Sequence, residues 1–171
     1  MLDLPYLQFS AFNLMVGVYV LGILVAPFSR TKTISGNTPQ HSFLFIRYFG
    51  FGTALIASIA GCFLSLSVLS TGTVFHLDLQ QTLPFGPLSI NVDPLAAFFL
   101  GVISLLGAVV SVYSIGYSGE YAGRKSLSLL VVLYNMFLLS MSLVVIAGNA
   151  VLFLIVWELM SLTTFFLINY E

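Results

Sequence analysis

Ala150-Val151-Leu152-Phe153-Leu154-Ile155-Val156-Trp157-Glu158-Leu159-Met160-Ser161-Leu162-Thr163-Thr164-Phe165-Phe166-Leu167-Ile168-Asn169 is a run of twenty residues with one ionisable side chain, Glu158. At about 1.5 Å per residue a helix of this length reaches roughly 30 Å, the thickness of the bilayer hydrocarbon. Glu158 then falls near the midplane, where a charged side chain costs about 2.5 to 3.5 kcal/mol on insertion scales. A carboxylate kept at that cost is a candidate for function.

Composition agrees with a membrane chain throughout. Of its 171 residues 59% are hydrophobic and 6% charged, and the mean hydropathy is +1.08; soluble domains carry about 25% charged residues. The formal net charge is −1, so no basic surface for nucleic acid is expected. Cys62 is the single cysteine, which excludes an internal disulfide and a cysteine-based metal site.

Four more apolar segments precede the decisive one. The five spans are placed near residues 6–28, 43–70, 94–117, 127–147 and 150–169, each about the length that a tilted transmembrane helix needs. The first is not a secretory signal. Asp3, with no Lys or Arg, precedes it, and its apolar stretch is too long. The expected fold is an all-α membrane protein in a single transmembrane domain, with a small external hairpin at about 71–93.

Orientation follows from the basic residues. Arg30, Lys32 and Arg47 flank the first connection, and Arg124 and Lys125 lie in the third. The other connections carry none, so the positive-inside rule predicts the N-terminus outside and the C-terminus in the cytoplasm. A multi-pass protein of the cell (inner) membrane is expected.

In the outer connection, Thr73-Val74-Phe75-His76-Leu77-Asp78-Leu79 and Leu88-Ser89-Ile90-Asn91-Val92 have strand character, with Pro84-Phe85-Gly86-Pro87 as the turn between them. Asp93 and Pro94 suit the N-cap and first position of span three. His76 and Asp78 lack a third partner for a metal and read as a solvated strand face.

Small residues mark the packing faces. Ala97, Gly101, Ser104, Ala108 and Ser111 line span three, and Ala54, Ser58 and Gly61 line span two, allowing close backbone approach. On span four Ser128, Asn135 and Ser142 recur every seven residues, and on span five Ser161 and Asn169 lie near the Glu158 face. If those faces meet, Asn135, Ser142 and Ser161 support Glu158; otherwise they are weak packing contacts. No nucleophile–base pair, histidine cluster or Gly-rich phosphate loop is present, so no catalytic site, cofactor or metal is expected.

Asn91-Val92-Asp93-Pro94-Leu95, Tyr113-Ser114-Ile115-Gly116-Tyr117 and Val156-Trp157-Glu158-Leu159-Met160-Ser161 together resemble the N-terminal part of the proton-conducting antiporter-like subunits. These occur in respiratory complex I, multisubunit sodium/proton antiporters and membrane-bound hydrogenases. With the Gly123-Arg124-Lys125 loop, the pattern is most similar to hydrogenase-4 component B and formate hydrogenlyase subunit 3. The resemblance implies that Glu158 is a proton-pathway residue, paired in the family with a lysine on a later, broken helix. It also implies partners, namely the other membrane subunits of a hydrogenase or NADH dehydrogenase-like assembly, whose electron transfer drives movement of protons, or of sodium, across the bilayer. A carboxylate suits that task, because loss of hydration favours the protonated acid and an approaching cation favours the anion.

The last lysine is Lys125 and the sequence ends at Glu171, just past span five. The chain is therefore expected to be the N-terminal part of a longer subunit. Alternatives are a small membrane scaffold with no transport of its own and a subunit of a multisubunit sodium/proton antiporter. A transporter of another class would need discontinuous helices, and no span has a proline break.

Overall fold

The computed structural model describes residues 4–28, 40–79, 88–121 and 126–170. Arg30, Lys32, Arg124, Lys125 and the Pro84-Phe85-Gly86-Pro87 turn lie outside these. The described chain forms five helices, α1 (Leu4–Phe28), α2 (Gln40–Thr71), α3 (Pro94–Tyr117), α4 (Leu127–Ile146) and α5 (Ala150–Ile168), with strands β1 (Phe75–Leu79) and β2 (Leu88–Val92) between α2 and α3. All five helices are long and apolar enough to cross a membrane. The expected fold class is thus observed.

Local chemistry sets the boundaries. Asp93 accepts a hydrogen bond from Ala96 N at 2.7 Å, and Pro94 follows it as the first helical residue. Pro27 falls in the last turn of α1, which ends one residue later. Strands β1 and β2 pair antiparallel, with Phe75 opposite Val92 and Leu79 opposite Leu88. Alternation turns Phe75, Ile90 and Val92 into the core and leaves His76 and Asp78 exposed, 3.1 Å apart.

Contacts at the two ends show that the helices alternate in direction. At the hairpin end Gln8 donates to Thr73 Oγ1 across 3.4 Å, and Ala147, just after α4, bridges to Ile90. At the opposite end Arg47 donates to the carbonyls of Ile115 and Gly116, Ser128 donates to the Ala26 carbonyl, and Tyr170 donates to the Ser126 carbonyl across 3.2 Å. An odd number of crossings follows. The chain is a multi-pass membrane protein.

Helix α2 is central and touches α1, α3 and α4. The small-residue stripes meet there as expected: Ala54, Ala57 and Ser58 of α2 and Ala97, Ser104 and Ser111 of α3 are all buried. Gly107 extends that face. A Cβ at Gly101 would come within 2.5 Å of Ser65 Oγ, and one at Gly107 within 2.8 Å of Ser58 Oγ. Outward positions such as Phe98, Leu105, Leu106 and Val109 are equally apolar, as a helix between protein and lipid requires.

Candidate proton site

Helix α5 is the most weakly covered of the five. Asn149 caps it by accepting from Leu152 N at 2.8 Å, and its neighbours are α4 along its length and β2 at its start. Only Val156 and Thr163 of α5 are buried. At about 100° per residue Glu158 lies roughly 200° round the helix from Val156, so it points away from α4. It is exposed, as are Leu154, Ile155, Ser161 and Leu162, one turn to either side.

The residues singled out for Glu158 divide into two sets. Ser161 shares its outward face, but its hydroxyl donates to the Trp157 carbonyl at 3.1 Å. Asn135 is fully buried on the other side of α4. Its Nδ2 donates to Gly50 O at 3.1 Å and Val131 O at 2.9 Å, and Thr53 Oγ1 lies 3.5 Å from its Oδ1. Helix α1 closes over this group at Gly22, where a Cβ would meet Asn135 Oδ1 at 2.7 Å. Ser142 is also fully buried and donates to Leu138 O at 2.9 Å. The described chain therefore does not bring Asn135 or Ser142 to Glu158. It uses them where helices pack.

Two buried hydroxyl pairs have no counterpart in the sequence reading. Tyr19 Oη and Ser58 Oγ are 3.0 Å apart, and so are Tyr134 Oη and Ser111 Oγ; Tyr134 also donates to Gly107 O at 3.2 Å. The available signal was a serine on each small-residue stripe, whose hydroxyl can also bond a hydroxyl from a facing helix. At the membrane boundary, burial pushes the Tyr170 phenol above its ordinary value. Among the described residues no three His, Cys, Asp or Glu side chains gather where a metal could bind.

Residues 86–121, which carry β2 and α3, match the family described as NADH-Ubiquinone oxidoreductase (complex I), chain 5 N-terminus. Hydrogenase-4 component B of Escherichia coli is 33% identical over 116 residues, 68% of this chain and 17% of that protein. The chain is a relative of the antiporter-like membrane subunits. NADH-quinone oxidoreductase subunit L of Mycobacterium tuberculosis is 30% identical over 126 residues, 71% of this chain and 18% of that protein. A putative antiporter subunit, mnhA2, of Staphylococcus epidermidis is 28% identical over 142 residues, 75% of this chain and 18% of that protein. The chain thus spans less than a fifth of the length of these curated relatives, each of which is named as a component or subunit of something larger.

Proposed function

We propose that the chain supplies the N-terminal helices of a proton-translocating subunit in a membrane-bound hydrogenase or complex I-like oxidoreductase, with Glu158 taking up and releasing the proton. The observation that carries this reading is the position of Glu158, ninth of nineteen residues in α5, on a face that the described chain leaves uncovered. A carboxylate at that depth needs either a proton or a cationic partner, and exchanging one for the other moves charge. Similarity to hydrogenase-4 component B and to subunit L supports the choice of assembly. In the cell membrane the hairpin end faces outward and the end bearing Arg47 faces the cytoplasm, because all five Lys and Arg residues fall in or beside connections at that end.

The test is Glu158→Gln in native membranes. The amide keeps shape and hydrogen bonding but cannot titrate. Acidification driven by hydrogen, formate or NADH oxidation should fall at least about tenfold, equivalent to a barrier increase of about 1.4 kcal/mol, while the complex still assembles. Normal pumping by an assembled variant would reassign Glu158 to packing and favour the scaffold reading. The similarity to mnhA2 favours a second reading, in which the partner subunits form a sodium/proton antiporter. Sodium-dependent proton exchange without any redox substrate would select it.

A further inference from the structure

We propose that the external hairpin positions the acidic helix, with Gly148 as the positioning residue; the inference rests on the reading of Glu158 as the proton site. Between α4 and α5 the chain makes no ordinary loop. Ala147 and Asn149 are both extended, with φ, ψ of −64°, 120° and −139°, 159°. Ala147 pairs with Ile90 as an antiparallel bridge, and Gly148 N donates to Ser89 O at 2.8 Å. The turn therefore lies on the outer edge of β2 as a very short third strand.

Glycine at 148 is required by this approach. A Cβ there would stand 2.7 Å from Ser89 Oγ, 2.9 Å from Ser89 O and 3.0 Å from Ser89 C, so any side chain pushes the turn off the strand. Two of those three atoms are backbone and cannot rotate away. The strand itself has little freedom to follow. Val92 is fully buried, Ile90 nearly so, and the paired β1 is held to α1 by the contact of the Phe12 and Phe75 rings, 5.9 Å between centroids.

Among the described residues α5 packs along α4, burying Val156 and Thr163, and Tyr170 ties its far end to the Ser126 carbonyl. The attachment to β2 sets where its start is held and so contributes to its tilt. Glu158 lies nine steps along the chain from Asn149, about 13 Å along the axis, so a tilt of about 10° at the turn moves the carboxylate by roughly 2 Å. That shift is enough to make or break a hydrogen bond or a contact with a cation.

The experiment follows Glu158 directly in native membranes, using a hydrophobic carbodiimide that reacts with protonated carboxyl groups. Gly148→Ala should move the profile of Glu158 labelling off the wild-type curve, by about threefold or more in rate at a fixed pH, and slow proton pumping. His76→Ala, on the solvated face of β1, should do neither. A second variant guards against misfolding: Ile90→Cys with Ala147→Cys joins the bridge partners, and a disulfide that forms without moving the profile supports the proposal. A disulfide that moves the profile, or assembled Gly148→Ala protein that labels along the wild-type curve, overturns it. Failure of the underlying reading looks different, because Glu158→Gln would then pump normally whatever Gly148 does.

Discussion

Asn135 and Ser161 carry similar polar groups, yet burial separates their consequences. Asn135→Ala removes two donated hydrogen bonds that tie α4 to α2 and to its own previous turn. The expected loss is about 1 kcal/mol, within the range for interhelical bonds in membranes, measured by titrating the folded protein from mild detergent into dodecyl sulfate. Ser161→Ala exposes nothing and should unfold at the wild-type midpoint. In pumping assays the order is different: Glu158→Asp retains part of the activity, because the acid remains one methylene short of its place, while Asn135→Ala acts only through stability. A large pumping defect in folded Asn135→Ala protein would mean that the buried amide belongs to the proton route.

At the scale of elements, α2 and α3 illustrate what close approach costs and gains. Gly61 faces Ser104 and Met15 so tightly that an added Cβ would overlap the serine hydroxyl. Gly61→Val should therefore destabilise by about 1 to 3 kcal/mol, the usual range for overpacking. Ser104 Oγ is buried without a hydrogen-bond partner among the described residues, so Ser104→Ala should be neutral or stabilise by up to about 1 kcal/mol. The same detergent titration checks both, and a clearly destabilised Ser104→Ala would show that the hydroxyl has a partner such as ordered water. Capping is more local: Asp93→Ala leaves Ala96 N without its acceptor and should cost about 1 kcal/mol.

For the whole molecule the alternation of five helices makes a prediction about sides. Single cysteines at Val74 and Asn149, both at the hairpin end, should react with an impermeant thiol reagent from outside intact cells, in a Cys62→Ala background. Cysteines at Gly119 and Ser126 should react only once the membrane is opened. Reaction of all four from one face would require a miscounted span. Reaction of the Gly119 and Ser126 pair alone from outside would keep the five crossings and reverse the orientation.

Sequence by itself determined the class, the five spans, the hairpin and the Asp93-Pro94 start of α3. These depend on local chemistry: apolar length against bilayer thickness, strand alternation, and the hydrogen-bonding deficit of a helix's first turn. The small-residue faces were legible for the same reason, since close packing in lipid demands little bulk. Glu158 stood out because no other residue in its run can ionise. Which way each polar side chain points was decided only by the tertiary structure. The seven-residue spacing of Ser128, Asn135 and Ser142 defines a face but not the helix that it meets, and packing turned that face toward α1 and α2 while Glu158 turned outward. The Gly148 contact with Ser89 joins residues 59 positions apart, a long-range contact that neither segment encodes alone.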